Sequence, residues 1–309
     1  MKTKKKNNIS LFSVVLAVIL AVYSALFLYL IFWALITAVK TNDEFIILQN
    51  FLGLPKDFMT EKTLPPWKWQ WNNFTAIMRY FEVKGVYRGG REVTIPFMTQ
   101  VIYTLQYAGG CAFIGALCPC LVAYATSKFK TSFNYVIDII VIITMIIPIV
   151  GAQISMISLL HSLKIYDTFV GLYLQKFNFA NMYYLMFAAI FKGVSKEYYE
   201  AAQLDGASEV KIMFKIALPL VASSFGLIFL LLFISYWNDY QTLLLYAPSH
   251  PSVAYGLFRV MTDSTGASER GSTPVQMAGC ILIVIPVFTL FIIFRNKLMG
   301  NLTIGGVKE

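Results

Sequence analysis

The chain is 309 residues long, 58% hydrophobic and only 13% charged, where a soluble domain carries about a quarter charged residues. That much apolar surface cannot be hidden in one aqueous core, because a folded chain must still present polar atoms to water, and lipid is the solvent that removes the conflict. The 25 Lys+Arg exceed the 16 Asp+Glu by enough for a formal charge of +9. These cations stand at the ends of apolar runs rather than on one face, a placement that argues for membrane topology and against nucleic-acid binding.

The N-terminus reads Met1-Lys2-Thr3-Lys4-Lys5-Lys6, and an apolar run follows from Leu11 to about Thr37. That run exceeds the apolar region of a signal peptide, about 7–15 residues, and no small-residue cleavage site stands out. It is long enough to cross about 30 Å of hydrocarbon as a helix and is read as the first span. A polar stretch rich in Trp, Pro and Gly extends from Lys40 to about Ile95. Apolar runs then recur at Pro96–Ser127, Phe133–Leu160, Asp167–Phe191, Ile216–Trp237 and Val275–Phe294. The expectation is an all-α, polytopic membrane protein of six spans. Residues 1–95 hold the tail, first span and external loop, and residues 96–309 hold the core. Gln175, Lys176, Asn178 and Asn181 interrupt the fourth run, so that run is either a short span behind an external helix or a broken helix lining a polar path. Polar groups at membrane depth are functional by default, which makes these four the candidate substrate-path residues.

Orientation is set by the short connections. Lys2, Lys4, Lys5 and Lys6 precede the first span, Lys128 and Lys130 join spans two and three, and Lys192, Lys196, Lys211 and Lys215 join four and five. Arg295, Lys297 and Lys308 follow the sixth. All belong to one side, which the positive-inside rule makes cytoplasmic, together with both termini. The expected location is the bacterial inner membrane.

The connection between the fourth and fifth spans carries the most information. It runs Ser195-Lys196-Glu197-Tyr198-Tyr199-Glu200-Ala201-Ala202-Gln203-Leu204-Asp205-Gly206-Ala207-Ser208 and closes with Ile216-Ala217-Leu218-Pro219. Ser195 suits an N-cap, and Glu197 suits the positive end of a helix. Residues 200–204 are adequate helix formers, Gly206 admits a positive-φ turn, and Pro219 is expected to break or bend the helix at its position. The residues alone predict helix, tight turn, helix, with Ala201 and Ala202 small enough for another surface to approach closely. An ordinary amphipathic cytoplasmic loop would satisfy the same pattern.

Glu200-Ala201-Ala202, Asp205-Gly206-Ala207 and Ile216, Leu218 and Pro219 resemble the EAA signature of permease subunits of binding-protein-dependent ABC importers. Ser195 stands where that family often has proline, and Ser223 replaces a common later proline. Other stretches are similar to the carbohydrate-uptake branch, the maltose-permease G-subunit-like proteins. These are Val39-Lys40-Thr41-Asn42-Asp43-Glu44 after the first span, Trp237-Asn238-Asp239-Tyr240 ending the fifth, Gln276 and Pro286 in the sixth, and the glycine-rich tail 300–308. The resemblance implies an EAA loop at about 195–219 that docks on a cytoplasmic ATPase, with Glu200, Ala201, Ala202, Asp205, Gly206, Leu218 and Pro219 as the coupling residues. It implies a second homologous permease, two ATPase subunits, an extracytoplasmic solute-binding protein and a sugar or oligosaccharide as substrate.

No Gly-x-x-x-x-Gly-Lys-Ser/Thr phosphate loop occurs, so the chain is expected to hydrolyse no ATP itself and to need no cofactor. An ion-coupled carrier, a non-sugar permease and a membrane scaffold are the rival classes. The spans show no chain of Asp, Glu and His suited to a proton relay, and Asp138 is expected to snorkel toward the cytoplasmic end of span three. Cys111, Cys118, Cys120 and Cys280 all fall in apolar stretches and read as small buried hydrophobes without metal-ligand spacing. Trp67, Trp69 and Trp71 anchor the external loop at the interface or touch a partner. His161 and His250 stand isolated, and Gly109, Gly110 and Gly151 are expected at helix packing contacts.

Overall fold

A computed structural model describes residues 11–42, 44–45, 68–88, 91–129, 131–147, 151–262 and 272–301. Lys2 to Lys6, Asp43, Trp67, Lys130 and the tail beyond Asn301 lie outside the described residues. The chain forms two compact units, residues 1–80 with 260–284, and residues 81–259 with 285–309.

In the first unit, α1 (Leu11–Ala38) is apolar on every side, and its residues from Phe12 to Leu35 are largely exposed. A helix apolar all round belongs in lipid. The chain beyond it is tied down by polar contacts. Thr41 Oγ1 accepts the Glu44 N–H at 3.1 Å while Glu44 Oε2 accepts the Thr41 N–H at 3.2 Å, a reciprocal capping box at the Lys40-Thr41 boundary. From α2 (Asn72–Tyr80), the buried Asn73 amide donates to the carbonyls of Ala38 at 2.9 Å and Lys40 at 2.8 Å, satisfying acceptors at the end of α1. Trp69 and Trp71 stack at 5.9 Å between centroids and stay exposed.

The second unit opens with a hairpin, β1 (Val83–Arg88) and β2 (Arg91–Ile95), antiparallel with Val86 opposite Val93. Val83, Val86 and Ile95 bury against Tyr103 and Tyr255. This small sheet was not expected from the sequence. The 32-residue α3 (Phe97–Lys128) is the centre of the unit. Its buried face carries Ala108, Cys111, Ala112, Gly115, Ala116, Cys118, Cys120 and Ala123, small residues that admit neighbouring helices closely.

The third and fourth apolar runs are each divided. The third becomes α4 (Ser132–Ile146) and α5 (Ala152–Ser162). Ile147 precedes Pro148 and is extended, at φ −82 and ψ 112, as a residue before proline prefers. Gly151 starts α5 at φ 81, and a Cβ there would meet nothing within 4 Å. Gly151 therefore serves backbone conformation, not the packing contact expected. Gly109 likewise faces open space, whereas a Cβ on Gly110 would strike the Tyr173 ring.

The fourth run becomes α6 (Phe169–Gln175) and α7 (Met182–Lys192). After the connection lie α8 (Glu197–Leu204), α9 (Glu209–Ile212), a π-helical turn (Met213–Ala217) and α10 (Leu218–Trp237). Then come α11 (Gln241–Tyr246), α12 (Val253–Thr262) and α13 (Thr273–Asn301). α10 and α7 pack on α3. Gly115 lets Leu232 and Tyr236 of α10 approach, and Tyr124 meets Phe191 of α7 edge-on at 5.6 Å.

Four helical stretches are long and apolar enough to cross a membrane, Phe12–Ala38, Phe97–Lys128, Glu209–Trp237 and Thr273–Phe294. Two shorter apolar helices, Phe133–Ile146 and Met182–Lys192, occupy the runs read as spans three and four. At 1.5 Å per residue, about 21 Å and 16 Å respectively, neither crosses a bilayer core alone. Asp138 does not simply snorkel: the Tyr184 hydroxyl of α7 donates to its Oδ1 at 2.7 Å and lies 3.0 Å from Thr126 Oγ1. Cys111, Cys118 and Cys120 are buried as free thiols, and Cys280 is partly buried.

Candidate functional site

Segment 195–219 folds as helix, turn and helix. Lys196 flanks α8, rather than Ser195, but Ser195 Oγ still accepts the Glu197 N–H at 3.4 Å. Glu197 and Glu200 occupy the first turn, where carboxylates favour the exposed N–H groups. The helix ends in a Schellman motif. Ala207 N–H donates to Ala202 C=O and Gly206 N–H to Gln203 C=O, both at 3.0 Å, while Gly206 adopts φ 75. A Cβ on Gly206 would meet nothing within 4 Å, so within this chain the glycine answers to backbone geometry alone.

Pro219 does not end the helix. It sits in the first turn of α10 directly after the π turn, whose closing bond runs from Leu218 N–H to Met213 C=O. Proline has no N–H for the carbonyl four residues back and clashes with it, and the wide turn absorbs that defect. Helical backbone thus runs from Glu209 to Trp237 without a stop.

The side chains divide sharply. Ala202 is buried, while Glu200, Ala201, Asp205 and Pro219 are exposed and Leu218 is half-buried. Leu204 is 89% exposed, and Tyr198, Val210 and Phe214 are exposed as well. Beside the segment lies a concavity of about 600 Å³, lined among others by Tyr124, Lys192, Lys196, Tyr199 and Glu200. At its edge the Lys128 ammonium pairs with the Glu209 carboxylate.

The four polar residues of the fourth run form the turn between α6 and α7. Gln175 Nε2 donates back to Gly171 C=O at 3.2 Å. Asn178 Oδ1 accepts the Ala180 N–H at 2.8 Å, and Asn181 Oδ1 caps α7 by accepting the Tyr183 N–H at 2.9 Å. These three side chains serve the local backbone. Lys176 differs, its ammonium lying 4.8 Å from the centroid of the Tyr236 ring. Tyr236 packs on a buried cluster containing Tyr107 and Cys111, and Cys111 lies near the middle of the long α3. α7 separates this turn from segment 195–219, so the two sets of candidates form two sites.

A third polar assembly brings together residues far apart in sequence. Asp239 accepts from the Tyr107 hydroxyl at 2.7 Å, from the Thr242 N–H at 3.0 Å and from the Thr242 hydroxyl at 2.5 Å. Asp167, in the connection between α5 and α6, accepts the Ser249 N–H at 3.0 Å and lies 3.4 Å from His250 Nδ1. His250 is buried between Tyr103 and Phe169, so it is not isolated as expected. The Tyr166 hydroxyl donates to Leu245 C=O at 3.1 Å and the Asp167 N–H to Tyr246 C=O at 3.0 Å. Only the composition of Trp237-Asn238-Asp239-Tyr240 hinted at these contacts.

The chain is 26% identical over 190 residues to an arabinooligosaccharides transport system permease protein of Halalkalibacterium halodurans, covering 61% of this chain and 66% of that protein. The chain spans about two thirds of that relative's length. It is 22% identical to the corresponding permease protein of Bacillus subtilis over 97% of both chains. A chain in the crystal structure of a bacterial ABC transporter that imports the acidic polysaccharide alginate shares its fold, with a TM-score of 0.72 at 20% identity over 96% of this chain and 99% of that one. Residues 115–299, which include segment 195–219, match the family described as binding-protein-dependent transport system inner membrane component, and the chain belongs to that family.

Proposed function

We propose that this membrane component is the permease subunit of an ATP-driven importer for an oligosaccharide, with residues 96–309 as its translocating core. It works beside a second homologous permease, receives solute from a binding protein outside, and is driven by two ATPase subunits inside. Both termini face the cytoplasm. Segment 195–219 is the docking element, and Glu200, Ala201, Ala202, Asp205, Gly206, Leu218 and Pro219 shape it. The observation that carries this reading is the 89% exposure of Leu204 at the tip of a highly charged connection, beside exposed Tyr198, Val210 and Phe214. Apolar groups grouped on a polar connection call for a protein partner. The absence of a phosphate-binding loop from the sequence supports an external source of ATP hydrolysis.

On the solute side, Lys176 over the Tyr236 ring is the leading contact of the path, since a cation at membrane depth is functional by default. An aromatic face with a charged donor suits a hydroxylated ring, in keeping with the arabinooligosaccharide permeases among the relatives. Gln175, Asn178 and Asn181 hold the turn that presents it.

The test is reconstitution with the ATPase, binding protein and partner permease, reading ATPase co-purification and ATP-dependent oligosaccharide uptake. Glu200→Lys and Gly206→Val are expected to insert normally and to lose the ATPase or the uptake. Ion-driven uptake by this chain alone would overturn the proposal, as would labelling of position 200 from outside intact cells.

A further inference from the structure

The connection between α7 and α10 is anchored in two ways. One is covalent: α9 continues through the π turn into α10. The other is a contact with the last residue of α3. Lys128 pairs with Glu209, and the other oxygen of that carboxylate accepts the Gln203 amide at 2.8 Å. The Lys128 side chain is 9% exposed. Its ammonium lies 5.7 Å from the ring centroid of Tyr124, 5.5 Å from Phe129 and 5.4 Å from Tyr199. An exposed ion pair is worth little, but a cation enclosed by ring faces and held to one carboxylate has a defined position.

The three rings and two polar partners come from distinct elements. Tyr124 and Phe129 belong to the end of α3, Tyr199 and Gln203 to α8, and Glu209 to α9. One side chain therefore spans both arms of the turn around Gly206 and joins them to α3. α3 in turn carries the buried cluster on which Tyr236 packs.

We propose that Lys128 is a positioning residue that latches both arms of the 195–219 turn to α3, so that displacement of the docked turn moves α3 together with α10. Without the latch, α8 pivots about residues 206–208 and the displacement reaches α10 alone. The proposal rests on the reading of segment 195–219 as the ATPase-docking element.

The experiment uses the reconstituted importer and compares Lys128→Met, Lys128→Arg, Glu209→Gln and the double variant Lys128→Met with Glu209→Gln. The readouts are ATPase co-purification and solute taken up per ATP hydrolysed. Lys128→Met and Glu209→Gln are expected to keep the ATPase bound while uptake per ATP falls about fivefold or more, the lower range of coupling between sites. Lys128→Arg keeps at least half of the wild-type ratio. The double variant loses no more than the worse single variant, because both remove the same link. Glu209 is about half exposed, so Glu209→Gln carries the test if Lys128→Met fails to insert. Wild-type uptake per ATP in Glu209→Gln, losses that multiply in the double variant, or release of the ATPase by Glu209→Gln would each overturn the latch. Glu200→Lys and Gly206→Val test the docking reading separately. If those two keep both the ATPase and full uptake, docking itself fails and the latch falls with it. If they lose the ATPase while the latch variants behave as wild type, docking stands and only the latch is overturned.

Discussion

The two ends of the second unit solve opposite problems. At the end marked by Lys128 and Lys192, segment 195–219 is built largely from contacts within a few residues, and it leaves Leu204, Val210 and Phe214 in the open. At the other end, Asp239 with Tyr107 and Asp167 with Ser249 and His250 tie chain segments more than eighty residues apart. Local bonds hold a shape while leaving its surface free for another protein. Long-range bonds use up their polar groups and hold helices in register. One end is made to be completed from outside, and the other is complete already.

That contrast predicts where substitutions cost stability and where they cost transport. The largest stability effect is expected for Asp239→Ala, which strands the Tyr107 hydroxyl and the Thr242 N–H. Each buried polar group left without a partner costs about 1–3 kcal/mol, so thermal denaturation in detergent should show a clear fall in Tm. Next comes Gly171→Ala, whose Cβ would lie 2.4 Å from Ile165 C=O, at the same end. Overpacking of that kind costs about 1–3 kcal/mol. Gly206→Val at the docking end should cost only the positive-φ penalty, about 1 kcal/mol, because the space around it is open. Its effect on ATPase co-purification should be far larger than its effect on Tm.

The smallest stability change belongs to Leu204→Ser, expected within about 0.5 kcal/mol as for other surface sites. ATPase binding should nevertheless weaken measurably in a pull-down. Equal Tm losses at both ends would erase the distinction between them. A stable Leu204→Ser that retains full ATPase binding would remove the apolar tip from the docking surface.

Legibility in the sequence divides along the same line. The turn at Gly206 was legible because helix formers, glycine and the small residues after it signal it within a dozen positions. The small-residue face of α3 was visible only as an apolar run, and its role emerged once Tyr173, Leu232 and Tyr236 were placed against it. The pairing of Asp167 with His250 left no trace in any local pattern, since neither periodicity nor capping links residues 83 positions apart. The break before α5 had its signals in Pro148 and Gly151, but continuous apolarity hides a break that lipid-facing side chains do not mark. Pro219 misled in the other direction, because a proline's usual effect on a helix takes no account of a wide turn placed just before it.

That wide turn fixes an angle. A π turn holds one residue more than an α turn, and each residue advances a helix by about 100°. The side chains of α10 are therefore phased about 100° away from where an unbroken α-helix starting at Glu209 would put them. Pro219 cannot supply the N–H that closure to an α turn would require, so the offset is written into the covalent chain. Deleting one residue from 213–217 would rotate the docking segment about the α10 axis like a mis-set gear, leaving its own fold intact and its teeth facing the wrong way.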